Sequence, residues 1–160
     1  MVVFDDVSSM QKHLKKTISE SAIKHTVKKV IENNIYKRVY QSYTPTSYVR
    51  TGDLLGSVRI TGESIGNTIY TFEVFMDSSL IDSNITSSGE WNQHASMPQG
   101  GQVYDTSDYI PMWIEYGTEG SLWDRQGAYY MEHSHFDLDG GKLSQQLRRE
   151  LSASGFKVIS

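Results

Sequence analysis

Tyr48-Val49-Arg50-Thr51-Gly52-Asp53-Leu54-Leu55-Gly56-Ser57-Val58 carries this chain from a helical beginning into a sheet. Gly52 permits a positive φ in a tight turn, and the Thr51 hydroxyl is placed to bond the local backbone. Residues 53–57 read as a single helical turn ahead of a strand. Arg50 has the planar fork that suits a carboxylate. Glu115 is its candidate partner, and a plain loop arginine is the other reading.

Working downstream, residues 57–61 alternate polar and apolar side chains, the period of a strand. Residues 67–76 form a second strand with Ile69, Thr71, Glu73 and Phe75 on one side. Tyr70, Phe72, Val74 and Met76 occupy the other, so this strand is expected to be central or covered by a helix. Residues 62–66, Gly-Glu-Ser-Ile-Gly, read as the hairpin connection.

Working upstream, Pro45 biases Thr44 away from helical dihedrals and closes what precedes it. Residues 6–41 read as one long helix. Val7, Met10 and Leu14, then Ile23, Val27, Val30, Ile31 and Ile35, form an apolar stripe. Asp5 or Asp6 caps its start. Lys12, Lys15, Lys16, Lys24, Lys28 and Lys29 populate the other faces. Two readings of them stay open: a solvated face of an amphipathic helix, or a basic rail toward an acidic partner or DNA.

Beyond the hairpin, residues 77–108 are rich in Ser and Gly and lack periodicity, so they read as a long loop. Trp91 and Tyr104 lie in it. Residues 109–116, Tyr-Ile-Pro-Met-Trp-Ile-Glu-Tyr, read as an edge strand because Pro111 cannot donate to a ladder. Gly117 and Thr118 end it, and residues up to 139 form a second loop bearing Trp123, Arg125, Tyr129 and Tyr130. A short helix over 141–152 places Leu143, Leu147 and Leu151 on one stripe, with Asp139 near its cap and Gly155 as its stop. Residues 156–159 read as a last strand. The fold class is α+β: a long N-terminal helix, a small antiparallel sheet, a short C-terminal helix and long loops in one domain over 1–160.

Composition bounds the function. The chain has 160 residues, 38% apolar and 21% charged, with a net charge of −4. The acidic balance argues against a general nucleic-acid binder and leaves room for a local basic surface beside DNA. Cysteine is absent, which excludes disulfides and thiolate metal sites. No apolar run approaches the about 18 residues of a membrane span, and the first residues lack the pattern of a secretory signal. Ten tyrosines and three tryptophans suit contact surfaces, where a ring buries area and its polar tip keeps a partner. Trp91, Tyr104, Trp113, Trp123, Tyr129 and Tyr130 are the interface candidates.

Catalytic signals are weak. His133 and His135 would share one face of a strand, and Asp137 would extend it, as some metal ligands do. His94 is the remaining loop histidine. No nucleophile elbow and no phosphate-cradling Gly-Lys-Ser/Thr loop is present. No catalytic residue, cofactor or resident metal is expected.

Two short patterns carry a resemblance. Thr51-Gly52-Asp53-Leu54-Leu55-Gly56-Ser57 resembles the Thr-Gly-X-Leu-X-X-Ser pattern that opens the sheet in small tail-component proteins of long-tailed bacteriophages. Glu115-Tyr116-Gly117-Thr118 resembles their later Glu-X-Gly-Thr pattern. Arg50, Thr51, Gly52, Leu54, Ser57, Glu115, Gly117 and Thr118 are therefore the motif residues. The order covers residues 43–151, with departures in the long loop and in 123–139, which lacks the family's proline. The resemblance implies a non-catalytic virion protein that completes the tail or joins it to the DNA-filled head. It implies a ring, six-fold by expectation, with a tail terminator, stopper or joining ring as its place. Its partners would be copies of itself, connector or stopper proteins and the tail tube protein, with DNA passing nearby and no membrane. The protein would be made in the host cytoplasm, and residues 77–108 and 117–139 would be the partner-binding loops. An inward acidic wall would keep such a ring from gripping DNA. A non-virion assembly module and a metal-dependent hydrolase built on His133, His135 and Asp137 are the competing readings.

Overall fold

In the computed structural model the described residues are 5–20, 23–42, 51–66, 69–81, 107–118 and 125–157. The long N-terminal helix is present as α1 (Val7–Glu20) and α2 (Ile23–Ile35), continued by a wide π turn over Tyr36–Tyr40. Asp6 caps α1: its Oδ1 accepts the Ser9 N–H at 2.7 Å, which satisfies one of the orphan donors of the first turn.

The apolar stripe of α2 organises the core. Ile23, Val27, Val30, Ile31 and Ile35 are buried, Ile35 completely. Their three- and four-residue spacing puts them on one side of the helix. Val39, in the π turn, extends the same side. Leu54, Val58, Ile81, Ile110, Ile114 and Tyr130 close around it. α2 packs against β1 (Val58–Ile65), α5 (Tyr130–Asp137) and α6 (Leu143–Ala153), and α1 packs against α6.

The single turn expected after Gly52 forms as α3 (Asp53–Gly56). β1 (Val58–Ile65) then pairs antiparallel with β2 (Tyr70–Met76), from Val58 opposite Met76 to Ile65 opposite Tyr70. Residues 62–65 belong to β1 and are not a hairpin connection. The register shifts between Thr61 and Ser64, and Gly62 has a φ of 65° there. A bulge with a left-handed glycine lets the strand run on past the irregularity. The two faces of β2 alternate as the sequence requires, with Phe72, Val74 and Met76 packed on the core and Thr71, Glu73 and Phe75 exposed. Among the described residues the pair is a sheet of two strands, and the expectation is met in its second form: the inner face of β2 is covered by the core that α2 organises.

Residues 109–116 form a helix, α4 (Ile110–Tyr116), in place of the expected edge strand. β-branched and aromatic side chains favour a strand locally, yet Ile110, Trp113 and Ile114 have helical spacing. Pro111 sits in the first turn, where its missing N–H costs nothing. The segment read as a second loop also contains regular structure. β3 (Gly117–Thr118) pairs antiparallel with β4 (Arg125–Gln126), and α5 (Tyr130–Asp137) follows. The chain kinks over Leu138–Lys142, where Gly141 has a non-helical φ of 104°, and leads into α6 (Leu143–Ala153). Asp139 caps nothing; its carboxylate lies 3.3 Å from His135. Gly155, with a φ of 89°, stops α6 as expected. Its N–H meets the Ser152 carbonyl and the Phe156 N–H meets that of Leu151, both at 3.0 Å, the paired bonds of a Schellman end. Phe156 and Lys157 are not in a strand, and the rest of that expected strand lies outside the described residues.

Polar ties fix the layers. Lys24 of α2 donates to Glu63 of β1. Asn34, buried on α2, donates to the Asp137 carboxylate at 3.1 Å, and Lys142 approaches the same oxygen at 2.9 Å. The Lys142 hydrogen bond, and next that of Asn34, hold the Asp137 carboxyl below its ordinary value of 3.8.

Truncating Ile35 to Ala should lower the unfolding free energy by about 2–5 kcal/mol, read by chemical denaturation. Ile69→Ala, at a residue 66% exposed, should stay within about 0.5 kcal/mol of the parent. A depressed carboxyl stabilises above its unfolded value and loses that contribution as pH falls through the folded one. Lys142→Met should therefore flatten the acid limb of a stability–pH curve below 3.8. An unchanged limb would mean that the contact with Lys142 adds nothing.

Candidate functional site

Both sequence motifs resolve into local locks. In the first, Gly52 has a φ of 88° and the Thr51 hydroxyl accepts the Asp53 N–H at 3.4 Å. Leu54 enters the core. Ser57 is fully buried, and its hydroxyl donates to the Leu54 carbonyl at 2.9 Å. The Ser57 carbonyl accepts the Asp77 N–H at 2.8 Å and so joins the start of β1 to the end of β2.

The second lock centres on Glu115 at the end of α4. Its side chain is buried, and its two oxygens accept the N–H groups of Met131 at 3.0 Å and Glu132 at 3.2 Å. These are two of the unpaired donors of the first turn of α5. The residue at the cap position is Tyr129, whose side chain makes no capping bond. Glu115 delivers from a distant segment what Ser, Thr or Asp supplies locally elsewhere, and its negative charge suits the positive end of the helix.

The surrounding backbone brings the two segments into contact. Tyr129 N–H donates to the Glu115 carbonyl at 3.0 Å and Ala128 N–H to that of Ile114 at 2.8 Å. A Cβ on Gly127 would lie 2.6 Å from the Glu115 carbonyl oxygen, so only glycine fits without movement. Gly117, with φ 87° and ψ −178°, reverses the chain where α4 becomes β3, a conformation that favours glycine strongly. Beneath the lock, burial and then the nearby Glu115 charge push the Tyr130 hydroxyl above the ordinary tyrosine range. It stays protonated and donates to the Pro111 carbonyl at 3.3 Å.

This lock presents an aromatic face to solvent. Tyr109, Met112 and Tyr116 recur at three- and four-residue spacing along α4 and are 53%, 49% and 69% exposed. Trp113, half-buried, stacks against Tyr109 with ring centroids 5.9 Å apart. Tyr129, exposed and held at a φ of 50°, lies beside the C-terminal end of α4 through its bond to Glu115. Large uncharged rings on a rigid support suit a protein contact.

Of the residues singled out from sequence, Trp113 and Tyr129 belong to this face, whereas Tyr130 is 1% exposed and part of the core. Trp91, Tyr104, Trp123, His94 and Arg50 lie outside the described residues. The expected pairing of Arg50 with Glu115 therefore also lies outside the described residues. Tyr109, Met112 and Tyr116 escaped the sequence reading because a strand would have scattered them over two faces; as a helix, their spacing makes one stripe.

His133 and His135 do not share a strand face, because both lie on α5, where positions two apart diverge. His133 lies near Phe136, His135 pairs with Asp139, and Asp137 turns to Asn34 and Lys142. Among the described residues no group of three His, Asp or Glu side chains converges as a metal site would require. No described helix is long and apolar enough to cross a membrane.

The chain belongs to the YomN family, whose family model matches residues 6–153. The family is phage-derived, after YomN of a Bacillus prophage, and the protein is accordingly phage-associated. No curated protein and no solved structure matches the chain.

Glu115→Gln keeps the shape but turns an amide donor toward one of the two N–H groups, and should cost about 1–3 kcal/mol of stability. Gly127→Ala should destabilise at least as much, because the added carbon meets backbone. Thermal unfolding of both variants measures this. Parent-like midpoints would mean that the α4–α5 junction contributes little.

Proposed function

We propose that this phage-associated protein is a virion structural protein of the head–tail interface. In this reading it forms a neck or tail-completion ring that joins the DNA-filled head to the tail, and it acts without catalysis. The observation that carries the reading is the exposed aromatic stripe of Tyr109, Met112 and Tyr116 on α4, with Tyr129 beside it, braced by the buried Glu115. The two short patterns that resemble phage tail-component proteins each place buried residues, Leu54 and Ser57 in one and Glu115 in the other, in supports of the fold. The phage-derived family supports the same setting.

In a closed ring each subunit uses two different patches, one for each neighbour, and further surface for what lies above and below. The expected partners are copies of the chain, six by analogy, a connector or stopper protein on the head side and the tube protein on the tail side. DNA would pass through the lumen.

Electron microscopy of lysates from a phage deleted for this gene tests the reading. DNA-filled heads lying separate from finished tails are the expected result. Tails of irregular length would place the protein at the tube end, and empty heads on the connector side. Normal infectious particles would overturn it.

A further inference from the structure

The net charge of −4 conceals a segregation. Residues 7–42 carry eight Lys and Arg against two Asp and Glu, and residues 143–157 carry three against one. Residues 43–142 carry four against fourteen. The fold turns this pattern into surfaces, because α6 packs against both α1 and α2 and so joins the two basic segments into one helical layer. On that layer Lys29, Arg148 and Arg149 are exposed and form no ion pair among the described residues. Lys24 and Lys28, by contrast, are matched internally by Glu63 and Glu32.

The aromatic face has the opposite character. Asp108 precedes Tyr109 at one end of the stripe, and Glu132 stands three residues beyond Tyr129 at the other; both are exposed. Neither carboxylate meets a cation among the described residues, Asp108 taking only the Ser78 hydroxyl. Tyr129 holds an exposed ring at a positive φ, a cost that a glycine there would avoid. The surrounding structure holds it there, through the Tyr129 N–H bond to the Glu115 carbonyl.

We infer that the acid-rimmed aromatic face of one copy, Asp108 to Glu132 across Tyr109, Met112, Tyr116 and Tyr129, docks on the basic α2–α6 layer of the next copy at Lys29, Arg148 and Arg149. The contact is head-to-tail: two different patches of one chain meet, and each subunit keeps one of each free for the following neighbour. Rings supply apolar area and the charged rims set orientation and association rate. A second copy is the occupant that the charges favour, since both complementary surfaces belong to this chain. This assignment rests on the ring in the proposed function and names the surfaces that would build it.

The test uses the full chain in sedimentation velocity. The parent should associate at low salt and dissociate toward 1 M salt, where the screening length falls to about 3 Å. Two variants reverse one patch each: Lys29→Glu with Arg148→Glu and Arg149→Glu on the helical layer, and Asp108→Lys with Glu132→Lys on the aromatic rim. Each alone should associate at least about 10-fold more weakly than the parent. Mixed one to one, they should co-assemble, because each repaired contact pairs a reversed layer with a reversed rim. Glu132→Lys alone, which spares the Asp108–Ser78 bond, serves as the rim variant if the double change unfolds the protein, with circular dichroism as the check.

A parent that stays monomeric at every salt concentration overturns the inference, as does a mixture that fails to recover. Loss of retention on duplex DNA by the layer variant, with self-association unchanged, also overturns it and assigns the layer to nucleic acid. Recovery in the mixture together with normal particles from the deleted phage would leave this contact standing and remove the head–tail reading.

Discussion

The carboxylate of Glu115 is the constraint on which the α4–α5 half of the molecule depends. α5 begins at Tyr129, whose side chain makes no capping bond, and its part-buried first-turn N–H groups would lack a side-chain acceptor. An unsatisfied buried donor costs about 1–3 kcal/mol, comparable with a fair share of the stability of a small domain. Glu115 meets two such donors at once, from a helix that lies well before α5 in sequence. That side chain acts with the backbone bonds from Ala128 and Tyr129 to Ile114 and Glu115 to hold α5 against α4, and Gly127 allows the close approach. Once the distance is fixed, Ile114 and Tyr130 face the stripe of α2 and the core closes.

The same constraint explains how an exposed aromatic face can be rigid. Ile110 and Ile114 anchor the inner side of α4 while Tyr109, Met112 and Tyr116 stand on its outer side. A helix of this length has little stability of its own. Its order comes from burial below and from the lock at its C-terminal end. Side chains held this way lose less entropy on meeting a partner, so more of their buried area appears as affinity.

Much of the architecture was legible because its signals are local. The stripe from Ile23 to Ile35, the alternation of β2, the turn at Gly52 and the stop at Gly155 each sit within a few residues of their cause. Local pattern and structure part where a short segment carries two signals. Residues 109–116 have the composition of a strand and the spacing of a helix, and Ile110 and Ile114 decided for the helix by reaching the core. A strand over these residues conceals the site, since the stripe exists only on a helix, and a strand at 133–135 gives His133 and His135 a common face that α5 does not. Glu115 could be noticed as part of a pattern but not understood. Its acceptors serve N–H groups sixteen and seventeen residues away, and no local rule encodes that pairing. The charge segregation was present in the sequence, yet it becomes two surfaces only because α6 returns to lie on α1 and α2.

The π turn over Tyr36–Tyr40 has a consequence for the length of the chain. Its closing bond, from Gln41 N–H to the Tyr36 carbonyl at 2.9 Å, spans one residue more than an α-helical bond would. α2 therefore ends with a surplus residue. Loss of one residue from this turn would convert it to an ordinary helical turn. Val39 would then stand three positions after Ile35 in place of four, still on the inner side. The same loss inside Ile23–Ile35 would rotate every later side chain by about 100° and take the stripe off the core. The end of α2 is thus a point where one residue can be lost without disturbing the phase of the helix that organises the protein.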